Sequence, residues 1–166
     1  VDLRGVLEHV LAAFRPRADK RQLVLGVRMP EEPLWVDADA TRLEQVFTNL
    51  LDNAAKYTNA GGSVVLELRE APGPEGRLGV RVSVHDTGIG IRPDVLPHVF
   101  ELFAQADESL ERSRGGLGIG LTLVHNMVDL HGGQVEAHSA GPGQGSEFVV
   151  WLPLLPVQAQ ALAAPS

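Results

Sequence analysis

The stretch "ATRLEQVFTNLLDNAAKYT", Ala40 to Thr58, constrains the fold more than any other. Leu43, Val46, Phe47, Leu50, Leu51, Ala54 and Ala55 recur at intervals of three and four, which on a helix makes one wide apolar stripe. Such a stripe is stable only against another layer of structure. The other side of this helix carries Asn49, Asn53 and Lys56 at i, i+4 and i+7, so they share one polar face and can converge on one ligand. Taken alone, these three residues are better explained as a solvated helix face.

What surrounds this helix supplies the second layer. "DLRGVLEHVLAAFRPRADKR" spaces Leu3, Val6, Leu7, Val10, Leu11 and Phe14 at helical intervals, with Asp2 as N-cap and an end expected near Pro16. "QLVLGVRM" predicts a short strand. "GGSVVLELRE" and "RLGVRVSVHD" predict an antiparallel hairpin across "APGPEG". "GGLGIGLTLVHNMVDLHGG" predicts a helix with glycines at both ends, and "GQVEAHS" and "SEFVVWLPL" a second hairpin across "AGPGQG". Ala104 to Gly115 is polar and without period, which predicts a mobile loop. The order predicts an α+β two-layer sandwich, its mixed sheet covered on one face by helices at about 40–57 and 118–131 and open on the other.

Composition narrows the ligand classes. The chain has 166 residues, 44% of them hydrophobic, enough for one core. It has no cysteine, which removes disulfides, cysteine zinc sites and thiol catalysis, and suits a reducing cytosol. No apolar run approaches the ~20 residues of a membrane span, so no direct membrane contact is expected of this segment. A net charge of −7 argues against a nucleic-acid partner bound by phosphate neutralisation. An anionic ligand would have to be held locally, by backbone N–H groups, a helix N-terminus or a metal ion.

Three stretches offer such means. In "HDTGIGI", Asp86 ends a strand and Gly88 and Gly90 follow; a carboxylate there can accept from an exocyclic amine while the glycines admit a flat ring. An ordinary Asp and Gly turn is the competing reading. In "GGLGIGL", Gly116, Gly118 and Gly120 stand where a helix begins, although glycine costs roughly 1 kcal/mol relative to alanine inside a helix. Free N–H groups and the helix dipole favour a phosphate there; a flexible hinge is the competing reading. Leu121 and Thr122 rule out a P-loop, and the preceding polar "DESLERSR" rules out a dinucleotide fingerprint. Asn53 can ligate Mg²⁺ through its amide oxygen, and Lys56 can reach a phosphate. Together the three stretches favour a Mg-nucleotide site.

The same motifs resemble those of the ATP-binding catalytic domain of sensor histidine kinases, within the superfamily that includes DNA gyrase, the mismatch-repair ATPases and a heat-shock chaperone. "RLEQVFTNLLDNAAKYT" resembles the N box, "DTGIG" the first glycine box, "VFELF" the F box and "GGLGIGLTLV" the second glycine box, in that order, from about Val1 to Leu155. The resemblance implies the Bergerat-type ATP-binding sandwich, with ATP and Mg²⁺ as its ligands. It makes Asn53 the magnesium ligand, places Asn49 beside it near the phosphates, and gives Lys56 a phosphate contact. Tyr57 would pack on the purine, Asp86 would bind the adenine amine, and Gly88 and Gly90 would shape the base pocket. Phe100 and Phe103 would anchor a lid. Gly116, Leu117, Gly118, Gly120 and Leu121 would form the phosphate cradle, Arg112 and Arg114 would be candidates for the γ-phosphate, and Ser146 would support Asp86 through water.

The resemblance also bears on the reaction. ATP-hydrolysing relatives place a Glu four residues before the magnesium Asn; here that residue is Asn49, as suits a kinase that must not spend its phosphoryl group on water. Glu44 and Asp52 are the carboxylates a hydrolase reading would use, and a nucleotide sensor that binds a partner through its sheet is a further alternative. None of His9, His85, His98, His125, His131 or His138 sits in the setting of an acceptor histidine. The expected organisation is an incoming linker helix over 1–18, the catalytic domain over 19–155 and a flexible tail over 156–166. The expected partners are a separate histidine-containing dimerisation domain and a response regulator, in a cytoplasmic setting.

Overall fold

The computed structural model describes residues 1–101 and 117–156. Its elements follow the predicted order: α1 (Leu3–Lys20), β1 (Val24–Arg28), α2 (Ala40–Lys56), β2 (Ser63–Pro72), β3 (Leu78–Asp86), α3 (Leu117–Leu130), β4 (Gln134–His138) and β5 (Ser146–Pro153). The five strands form one mixed sheet in the order β1-β2-β3-β5-β4. Only β1 and β2 run parallel, with α2 as their crossover; the other pairs are antiparallel.

Side-chain alternation decides which face of the sheet is covered. Val64, Leu66 and Leu68 of β2, Val80, Val82 and Val84 of β3, and Phe148, Val150 and Leu152 of β5 point to one side and join a single core. The α2 stripe from Leu43 to Ala55 meets them, with Leu43, Val46, Phe47, Leu50 and Leu51 wholly buried. Full burial of each such side chain contributes about 1.5–3 kcal/mol, so α2 is the central element of the helical layer. Asp39 starts it by accepting from the N–H groups of Thr41 and Arg42.

Two features depart from the expectation. Helix α1 continues past Pro16 to Lys20. Beyond the proline, Ala18 is buried in the core, Arg17 pairs with Asp52 of α2 at 2.7 Å, and its guanidinium lies 5.7 Å from the Phe14 ring. These contacts offset the hydrogen bond that proline cannot donate. Through Leu3, Val6, Leu7, Val10, Leu11 and Phe14, α1 is also a third helix of the covering layer. The opposite sheet face is not open throughout: Trp151 and Val149 are buried there, and the Trp151 indole N–H donates to Ala71 O at 3.0 Å beneath the β2–β3 connection.

Candidate functional site

The site gathers around the C-terminal end of α2 and the end of β3. Register places Asp86 opposite Ser146, the first residue of β5, and opposite Val64 of β2. Asp86 is 2% exposed, yet both its carboxylate oxygens are engaged. The Gly88 N–H donates to Oδ1 at 2.8 Å, and the Ser146 hydroxyl donates to Oδ2 at 2.8 Å, directly rather than through the expected water, because strand register sets the two residues opposite each other. Burial raises its pKa above the ordinary 3.8; the Ser146 and Gly88 hydrogen bonds oppose that rise without cancelling it. A buried carboxylate that keeps spare lone pairs is suited to accept from an amine.

The glycines around it are required by contact. A Cβ on Gly88 would stand 2.2 Å from Tyr57 O and 2.8 Å from Asp86 Oδ1. Gly90 has φ of +74°, and a Cβ there would stand 2.1 Å from Gly141 O. Backbone bonds join this loop to its neighbours: Ile89 N–H donates to Tyr57 O, Gly143 N–H to Ile89 O, and Gly145 N–H to Gly88 O. The loop therefore joins the end of α2 to the β4–β5 hairpin.

The other predicted residues fall on both sides of this loop. Tyr57 caps the end of α2 and is 8% exposed. Asn49 and Asn53 are half-buried on α2, about two turns and one turn before Tyr57, and Lys56 is exposed beside it. Leu117 and Gly118 open α3; Gly120 and the buried Leu121 follow in its first turns. Phe100 lies edge-on to Phe148 at 6.1 Å between ring centroids, and its carbonyl accepts from the Thr122 hydroxyl of α3. Phe103, Arg112, Arg114 and Gly116, with the whole of the expected lid from Ala104 to Gly115, lie outside the described residues.

Several site contacts had no signal in the sequence. Ser139 accepts from Ile91 N–H and donates to Gly145 O, tying the two glycine segments together from far apart in the chain. Thr58, next to Tyr57, is buried against Gly88. His131, just past the C-terminal end of α3, is 2.7 Å from Met127 O through Nδ1, and its Nε2 accepts from Asp39 N–H at 3.2 Å. A carbonyl only accepts, so Nδ1 carries the proton and the ring is neutral. His131 thus bridges the end of α3 to the start of α2.

The polar α2 face, the paired Asp86 and the glycine loops lie on one scaffold, and residues 38–156 match the family model for histidine kinase-, DNA gyrase B- and HSP90-like ATPases. The chain belongs to this family. Within the ATPase family it is similar to the sensor protein GacS of Pseudomonas syringae, 38% identical over 92% of this chain and 17% of that protein. In structure it is similar to the mycobacterial sensor histidine kinase MprB, with a TM-score of 0.76 and 31% identity over 95% of this chain and 97% of that one. It is also similar to full-length ShkA in complex with AMPPNP, with a TM-score of 0.74 and 34% identity over 95% of this chain and 31% of that one. The chain spans between a tenth and a third of the length of the curated relatives it matches. Among the described residues no helix is long and apolar enough to cross a membrane.

Proposed function

We propose that this chain is the ATP-binding catalytic domain of a two-component sensor histidine kinase, cytoplasmic in setting, that delivers the γ-phosphoryl group of ATP to a histidine of a separate dimerisation domain, for onward transfer to a response regulator. The observation that carries this reading is Asp86: a buried, ionisable carboxylate whose oxygens are oriented by Gly88 and Ser146 at the floor of a glycine loop. There it accepts from the adenine amine, with Tyr57 against the purine and Gly88 and Gly90 admitting the ring. Asn49 and Lys56 face the phosphates from α2, and the α3 N-terminus with Gly118 and Gly120 receives them through free N–H groups.

The donor set suits magnesium brought in by the nucleotide. Among the described residues no group of three or more His, Asp or Glu is placed to hold a metal alone. Asn53 offers one amide oxygen, and Mg²⁺ takes few protein ligands when phosphates and waters complete its octahedron. When bound, the ion supplies charge neutralisation at the phosphates. The chain's own part is positioning: Asp86 fixes the base, Lys56 and Asn49 orient the phosphates, and the acceptor comes from another domain.

The hydrolase alternative is disfavoured by where its carboxylates point. Asp52 pairs with Arg17 of α1 at 2.7 Å, and Glu44 lies 3.9 Å from His9 of α1. Both carboxylates are thereby turned toward α1. The test is to mix this domain with the parent's dimerisation domain and labelled Mg-ATP. Phosphohistidine on the acceptor is expected; steady phosphate release with no phosphohistidine contradicts the kinase reading.

A further inference from the structure

Thr58 is 4% exposed and wedged between two glycines. A Cβ on Gly62 would stand 2.4 Å from Thr58 Cγ2, whereas one on Gly88 would stand 2.9 Å from Thr58 Oγ1. The methyl therefore faces Gly62 and the hydroxyl faces the base loop. That same point beside Gly88 is 2.8 Å from Asp86 Oδ1, so the hydroxyl and the carboxylate flank one position. The Asp86 oxygens have their partners, but Thr58 Oγ1 is closed off from solvent and has no hydrogen-bond partner among the described residues.

An unpaired buried hydroxyl is costly, and packing gives no reason for it. Valine has nearly the same shape and would fill the space without an orphaned polar atom. The hydroxyl is left unsatisfied among the described residues, and it lies beside the one carboxylate suited to an amine. A nucleobase seated on Asp86 brings a polar edge close to this hydroxyl.

We infer that Thr58 is a specificity-determining residue of the base subsite: its hydroxyl becomes hydrogen-bonded when a 6-aminopurine seats on Asp86, and it favours that base over a 6-oxopurine. The inference rests on the reading of Asp86 as the amine acceptor. Thr58 acts beside Asp86 and shares its environment, so substituting it changes base selectivity without removing the phosphate contacts on α2 and α3.

The experiment measures ADP and IDP affinities by calorimetry for the wild-type chain, Thr58→Val, Thr58→Ser and Asp86→Ala, together with the nucleotide-free Tm of each. For Thr58→Val the expected result is ADP binding weakened roughly three- to tenfold, a smaller ADP to IDP preference, and a Tm no lower than wild type. Thr58→Ser keeps wild-type selectivity. The inference is overturned if Thr58→Val binds ADP with unchanged affinity, or if it loses ADP and IDP equally together with Tm, which is the mark of a packing role. Unchanged ADP binding in Asp86→Ala overturns the Asp86 reading instead, whatever Thr58 does.

Discussion

The Ser146 hydroxyl donates a 2.8 Å hydrogen bond to Asp86 Oδ2 from the directly opposite position on the neighbouring strand. Strand register therefore supplies one of the contacts that oppose the rise burial imposes on the pKa of this carboxylate. Ser146→Ala removes a contact that holds the Asp86 pKa down, so that pKa rises further. Nucleotide affinity then falls by about a factor of ten, and its loss on acidification begins at a higher pH than in wild type. Calorimetric ADP titrations across a pH series measure both.

Asp86 also gives stability a pH dependence of known sign. Burial raises its folded pKa above the ordinary 3.8, so in the window between the two values the folded state holds more proton than the unfolded state. Its contribution to stability falls as pH rises through that window and is fully unfavourable above the raised value. Asp86→Asn removes this dependence. The variant is expected to have a higher nucleotide-free Tm than wild type at neutral pH, with the difference shrinking on acidification, and to bind ADP more weakly. Thermal melts of both proteins over the same pH series check it.

Gly90 and Gly76 separate conformational cost from collision. Both have positive φ, +74° and +72°, but a Cβ on Gly90 meets Gly141 O at 2.1 Å while one on Gly76 meets nothing within 4 Å. Gly76→Ala is expected to cost about 1 kcal/mol. Gly90→Ala costs more, on the order of 2–4 kcal/mol, because the carbonyl must also move, and it weakens ADP binding with it. Urea denaturation with parallel ADP titration gives both numbers for each variant.

His131 holds the two long helices of the site layer together at one end. His131→Ala leaves Asp39 N–H and Met127 O without their shared partner, at a cost of about 1–2 kcal/mol. Asp39 itself still caps α2 through its side chain. Chemical denaturation is expected to show the loss; unchanged stability counts against a bridging role.

The helical layer was legible because its period is local. The stripe from Leu43 to Ala55 and the alternation of Val80, Val82 and Val84 each report burial within one element. Pro16 misled the reading of α1 because its local cost is visible in sequence, while the offsetting contacts of Arg17 and Ala18 come from elements farther along the chain. The same limit applies at the site. Asp86 and its glycines stand together in one heptapeptide, but Ser139, Thr58 and the His131 bridge matter through partners that only the fold brings near. The burial of Trp151 is illegible for a related reason: its cover is Ala71 at the end of β2 and the Gly73 that follows, on a face that alternation marks as exposed.

The central claim is a Mg-nucleotide site with Asp86 at the base and Asn53 at the metal. Its most direct measurement is calorimetric titration of ADP into the wild-type chain, Asp86→Ala and Asn53→Ala, each with and without Mg²⁺. Binding by wild type is expected to strengthen with Mg²⁺, Asp86→Ala to lose most affinity under both conditions, and Asn53→Ala to lose the magnesium enhancement alone. Undiminished ADP affinity in Asp86→Ala, or full magnesium enhancement in Asn53→Ala, would contradict it.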